Sequence, residues 1–307
     1  MAITAGMVKE LREMTGAGMM DCKKALTETN GDMDAAVEVL RKSGAAKMEK
    51  KQSRIAAEGI ARVAVNGNVA VVAEVNSETD FVAKNEVFQQ YVKEVAAQAK
   101  VTSAANVEAF LAEPWAAEAG QTVEEKLKAM IAKIGENMNI RRFEKVTTDG
   151  LVVSYIHAGG KIGVLVVADT DSDSDAVKEC LKNVAMQIAA LNPKYVSSDD
   201  VDADYKEHEK QVLLAQAKND PKNAGKPDEI IEKMIIGRLN KELKEVCLLE
   251  QPYVKAENKE NVKQYVEAVA AAEGCKLNVT KFVRFETGEG LEKKEEDFAA
   301  EVAAQLG

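Results

Sequence analysis

The side chains best suited to acid-base or metal chemistry are two histidines, His157 and His208, and four cysteines, Cys22, Cys180, Cys247 and Cys275. Neither histidine stands at a spacing that builds a metal site or sets a base beside a nucleophile. The cysteines are scattered, with no CxxC pair, so neither a zinc site nor a disulfide frame is expected. His208 falls in a charged helical segment and reads as a solvated surface residue. His157 precedes Ala158-Gly159-Gly160 at a hairpin turn, where a side chain projects, which makes it a candidate contact residue. Thr15-Gly16-Ala17-Gly18 invites a nucleotide-loop reading, yet a dinucleotide fingerprint needs a preceding strand and a third glycine. Here a helix precedes, and Asp21 occupies that third position. With no acid-base pair, nucleophile or metal cluster, the expectation is a binding protein without a cofactor rather than an enzyme.

Thr79-Asp80-Phe81-Val82 offers recognition chemistry instead. In a chain with 5% aromatic residues, a phenylalanine follows an acid where an apolar strand, Val69 to Val75, gives way to a helix. Such junctions point side chains outward from a rigid scaffold, where binding residues tend to sit. The bland alternative is core packing, and spacing alone favours it: Phe81 and Phe88 are seven residues apart and fit one helix face. Glu74, Glu78 and Asp80 oppose deep burial, because it would draw carboxylates into apolar surroundings. Met19 and Met20 raise a similar question, since neighbouring residues on a helix cannot both face one small core, and one is expected to be an exposed anchor.

Composition narrows the partner. The 307 residues suffice for two or three compact units, and 51 acidic against 41 basic residues give a net charge of −10, which opposes nucleic-acid binding. A basic island of Arg41, Lys42, Lys47, Lys50, Lys51, Arg54 and Arg62 reads as a solvated linker. No apolar run approaches the roughly 18 residues of a membrane span and no secretory leader opens the chain, so a cytoplasmic protein that binds neither membrane nor nucleic acid is expected.

Periodicity predicts an α+β chain. A helix capped by Thr4, a second from about Met19 to Glu28, and a third capped by Asp32 and ended by Gly44 make a small three-helix N-terminal bundle at 1–45, followed by the linker at 46–58. Ile60 to Val65 and Val69 to Val75 form a hairpin through Asn66-Gly67, a type I′ signal, and a helix carrying Phe88, Tyr91, Val92, Val95, Ala96 and Ala99 packs on it. The plan recurs: Leu151 to Ile156, a Gly159-Gly160 turn, Ile162 to Val167, then a helix with Val177, Leu181, Val184 and Ile188. The two copies align from glycine to helix, but where the second has an acidic loop, Asp169 to Asp175, the first has Thr-Asp-Phe-Val. A duplicated core is therefore expected, with subdomains at 59–140 and 141–285. A helical hairpin at 199–249 is inserted in the second, its arms broken at Asp220-Pro221 and Gly225-Lys226-Pro227. The stripe Ile230, Ile231, Met234, Ile235, Leu239, Leu243 and Val246 suits pairing with Val212 and Leu213 as a coiled coil, or with a second copy as a homodimer. A helix around Val262 to Glu273, a strand from Leu277 to Phe285 and a module at 286–307 with a helix from Asp297 to Ala304 close the chain.

TGAGMMDCKKAL (Thr15 to Leu26), TDFVAKN (Thr79 to Asn85), KIGENMNIRR (Lys133 to Arg142), HAGGKIGVLV (His157 to Val166) and RFETGEG (Arg284 to Gly290) together resemble the bacterial translation elongation factor Ts family. The match runs end to end in the same order. It implies a guanine nucleotide exchange factor for the GTPase elongation factor Tu, with a ubiquitin-associated-like N-terminal domain before the duplicated core. By the same resemblance Asp80 and Phe81, flanked by Thr79 and Val82, would displace magnesium from elongation factor Tu. Met19, Met20 and Lys23 would meet the partner's nucleotide domain, and His157 would reach another of its domains. The alternative from another class is a noncatalytic scaffold or chaperone that touches no nucleotide site.

Overall fold

The computed structural model describes residues 3–15, 17–223 and 226–292. Helices α1 (Ala5–Thr15), α2 (Met19–Glu28) and α3 (Met33–Gln52) enclose Leu11, Cys22, Ala25, Leu26 and Ala36. The caps are those that the sequence predicts: Thr4 Oγ1 accepts from the Met7 N–H at 3.3 Å and Asp32 Oδ1 from Ala35 at 3.0 Å. Helix α3 does not stop at Gly44. It runs to Gln52, so part of 46–58, expected as linker, is helix. A glycine costs a helix only about 1 kcal/mol relative to alanine, and Ala45 to Lys51 are all good helix formers.

Strands β1 (Glu58–Asn66) and β2 (Val69–Ser77) form the first hairpin. Its turn residues are Gly67 and Asn68, and only Gly67 has a positive φ, 58°. That is the pattern of a II′ turn, in place of the expected I′. The chain continues through α4 (Asp80–Ala83), α5 (Glu86–Val101), α6 (Val107–Leu111) and α7 (Val123–Ile134) to β3 (Met138–Thr147). The second copy has β4 (Leu151–His157), β5 (Ile162–Thr170), α8 (Asp175–Leu191), the helical pair α9 (Ala203–Asn219) and α10 (Asp228–Val246), α11 (Val262–Glu273) and β6 (Leu277–Glu286). Each copy is a three-stranded antiparallel sheet, β1-β2-β3 and β4-β5-β6. The strand β3 escaped the sequence reading, and the expected division at 140/141 falls inside it, since its ladder to β2 runs to Thr147. The last helix expected, Asp297 to Ala304, lies outside the described residues.

The duplication extends to an irregularity. In both copies the central strand slips register against the third strand at the same place in the repeat, between Glu74 and Val75 in one and between Val167 and Ala168 in the other. These central strands are also buried on both faces. Val71 and Val75 pack toward α5 and α7, whereas Ala70 and Val72 meet Leu165 and Val167 of the other sheet. Val164 and Val166 turn toward α8 and α11. The two sheets thus stack face to face between helices, which explains why the central strands read as unbroken apolar runs. Contact between them is close: a Cβ on Gly163 would lie 3.1 Å from Val72 Cγ2.

Helices α9 and α10 pack through Leu213, Ala217, Ile231 and Ile235. Ile230, expected in that stripe, faces solvent instead, because the contact follows the i, i+4 row of Ile231 and Ile235. Among the described residues no helix is long and apolar enough to cross a membrane.

Candidate partner-binding site

Phe81 is 80% exposed and Phe88 fully buried, so the core packing that their spacing favours does not occur. The reason is a break in the helix. Helix α4 is a single turn closed at Lys84, and Asn85 starts α5 afresh by accepting from the Val87 N–H at 2.8 Å. The helical phase is lost between the two rings. Val82 and Ala83 carry the packing of α4 against the first core, leaving Phe81 pointing away. Beside it, Lys84 Nζ donates to Asp80 Oδ2 at 2.6 Å and lies 5.9 Å from the centre of the Phe81 ring. The Lys84 hydrogen bond holds the Asp80 carboxyl below its ordinary range, with Lys161 adding to the effect. Lys84→Ala is accordingly expected to raise the Asp80 pKa toward the ordinary value, followed by NMR titration, with the fold intact because the pair is exposed.

The turn is bolted from a distant segment. Glu136, just after α7, accepts from the Glu78 and Thr79 N–H groups at 3.1 Å each, and from the Thr79 hydroxyl at 2.7 Å. Thr79 Oγ1 in turn accepts from the Val82 N–H at 3.3 Å and caps α4. In the reverse direction the Asn137 N–H donates to Glu78 Oε1 at 2.5 Å. Periodicity and spacing give neither Glu136 nor Asn137 a role, although both lie within KIGENMNIRR; the local signal is an acid following Gly135, the left-handed residue that ends α7.

His157 is exposed at the end of β4, and its Nδ1 lies 3.0 Å from the Tyr155 hydroxyl. The turn after it packs on the first copy: Gly160 lies against Ile60, and Lys161 pairs with Glu58. Between this turn and α5 runs a groove of about 250 Å³ lined by Ile60, Arg62, Gln89, Val92, Ile156 and Gly159. Gln89 reaches the foot of α4 by donating to the Ala83 carbonyl at 3.3 Å. The groove thus has the His157 turn on one side and, on the other, α5, whose Gln89 touches α4. Met19 and Met20 are exposed at 59% and 74%, so both, and not one alone, stand clear of the bundle core, with Lys23 exposed one turn on.

A buried ionic network ties the two copies together. Glu74 is fully buried in β2, where it meets Arg141 at 3.0 Å and Arg142 at 2.5 Å. Consecutive strand residues normally point to opposite faces, and the register slip at Glu74 is what lets both arginines reach one carboxylate. Asn76 and the Gly288 N–H complete the set at 3.0 and 2.8 Å. Gly288, at φ 75°, has no room for a side chain, since a Cβ there would lie 2.0 Å from the Ala57 carbonyl oxygen. Burial pushes the Glu74 carboxyl up, but the bonds from Gly288, Asn76 and Arg142 outweigh it and the net shift is downward. Burial also pushes the Cys180 and Cys247 thiols up to about 11, which leaves them poor nucleophiles. Among the described residues no group of His, Cys, Asp or Glu is arranged to hold a metal ion.

Residues 78–289 match the family model described as Elongation factor TS. Over 306 residues the chain is 55% identical to the Elongation factor Ts of Clostridioides difficile (strain 630), covering 99% of each. It is 52% identical over 314 residues to that of Trichlorobacter lovleyi, covering 100% of this chain and 99% of the relative. With that of Magnetococcus marinus the identity is 51% over 304 residues, covering 99% and 98%.

Proposed function

This chain belongs to the elongation factor Ts family, a family of translation elongation factors, and from that premise we propose that it is a guanine nucleotide exchange factor for elongation factor Tu. It binds the GDP form of that GTPase in the cytoplasm and drives GDP off so that GTP can bind. Asp80 and Phe81 enter beside the partner's magnesium and phosphate loops and displace the groups that hold the ion and the nucleotide. No bond is made or broken. Exchange is a coupling between two binding equilibria, and the coupling is reciprocal: nucleotide weakens the binding of this protein by the factor by which this protein weakens the binding of nucleotide.

The observation that carries this reading is the 80% exposure of Phe81 on a turn that is itself fixed. A large apolar ring held in water by a braced scaffold, with an ionised carboxylate next to it, is arranged to be buried in a partner. Met19, Met20 and Lys23 on the bundle, and His157 at the end of β4, supply the further contacts. His157→Ala is expected to weaken the complex by a few-fold, seen as a higher half-saturating concentration in the exchange reaction with the maximal rate retained. The deciding test is release of labelled GDP from elongation factor Tu, measured with wild type and with Phe81→Ala. A wild type that binds elongation factor Tu and leaves GDP release unchanged would establish the scaffold alternative.

A further inference from the structure

We propose that Glu136 is a positioning residue for Phe81: its carboxylate fixes α4 so that the ring stands outward before any partner arrives. The inference rests on the exchange-factor reading above and adds to it a residue 57 positions away in sequence from the turn that it holds.

Helix α4 has four residues, far too few to persist through its own hydrogen bonds. It needs outside support at its first turn, where backbone N–H groups lack helical partners. Glu136 supplies this on both oxygens. Oε2 takes the Glu78 and Thr79 N–H groups, and Oε1 takes the Thr79 hydroxyl proton at 2.7 Å. That last bond sets the direction of the cap. A threonine hydroxyl has one proton; once it is committed to Glu136, a lone pair is left facing the Val82 N–H, 3.3 Å away. The Asn137 N–H, bound to Glu78 Oε1 at 2.5 Å, closes a reciprocal pair that prevents the two segments from sliding apart. Val82 and Ala83 then dock into the first core, and the remaining direction is the one that Phe81 occupies. An aromatic side chain ordered in advance avoids the entropy loss of ordering it on binding.

The rival role is plain stabilisation of the fold, and a double-mutant cycle separates the two. GDP release from elongation factor Tu is measured with wild type, Glu136→Ala, Phe81→Ala and the double variant, alongside amide hydrogen exchange of the free proteins. Glu136→Ala is expected to slow release by about ten- to a hundredfold, the scale of a displaced contact group. In the Phe81→Ala background the same change is expected to add nothing, because Glu136 acts through the ring. Thr79 and Val82 amides exchange faster in Glu136→Ala while those of β2 keep their protection. Glu136→Gln, which retains one acceptor oxygen, falls between wild type and alanine, and it carries the comparison if the alanine variant does not fold. Wild-type release by Glu136→Ala, or an equal slowing in both backgrounds, overturns the proposal. Unchanged release by Phe81→Ala overturns the exchange mechanism itself, while faster Thr79 and Val82 exchange in Glu136→Ala would still establish the brace.

Discussion

Phe81→Ala is expected to slow GDP release from elongation factor Tu by about ten- to 150-fold. The figure follows from the roughly 1.5 to 3 kcal/mol that full burial of a phenylalanine contributes, converted at about 1.4 kcal/mol per tenfold. The protein's own stability should change by less than about 0.5 kcal/mol, since the ring is 80% exposed and α4 is held by Val82, Ala83 and Glu136. Stopped-flow release of a fluorescent GDP and a urea titration of the free protein measure the two quantities. An unfolded variant, or one that exchanges at the wild-type rate, removes the intruding role of the ring. Any acceleration beyond that range comes from the wider contact surface, and Met20→Ala then lowers the maximal rate further.

Glu74→Gln is expected to have the opposite profile, with a large effect on stability and none specific to nucleotide release. Removing the buried carboxylate is expected to cost about 1–3 kcal/mol, less than for a fully buried pair because Arg141 and Arg142 are 24% and 30% exposed and Arg142 keeps Glu289 at 3.2 Å. Here Arg141 and Arg142 lose their shared carboxylate and the Gly288 N–H keeps a weaker acceptor. The loss is read from the urea midpoint at neutral pH. The pH dependence has a definite sign. The folded pKa of Glu74 lies below its ordinary value of 4.5, so its charge contributes stability that is fully present above about pH 4.5 and is lost as the pH falls through the lower folded value. Wild type should therefore weaken on acidification below pH 4.5, and Glu74→Gln should weaken less over the same interval. Equal midpoints at neutral pH would show that the network contributes no net stability.

Much of the architecture could be read before any coordinates because its causes are local. Continuous β-branched apolar runs joined at glycine turns marked both hairpins, 3.6-period stripes marked α5 and α8, and Thr4 and Asp32 announced helix starts through caps that lie within three residues of their partners. The end of α3 and the type of the first turn were missed for local reasons too: one glycine is a weak helix breaker, and Asn-Gly specifies a turn less tightly than a register does.

The site divided along the same line. The sequence alone marked the Asp80-Phe81 junction, the projecting His157, the methionine pair and, through the repeat, the fact that the second copy lacks this turn. It did not determine which way Phe81 points, for spacing favoured the core and a broken helix sends it outward. Nor did it reveal the stacking of the two sheets, the burial of Glu74 between two consecutive arginines, or the Glu136 bonds to Thr79. Each of these joins segments tens to hundreds of residues apart, 57 for Glu136 with Thr79 and 214 for Gly288 with Glu74. Periodicity and capping report only what a residue does with neighbours a few positions away. Contacts between distant segments are set by how whole layers pack, and only the folded chain brings them together.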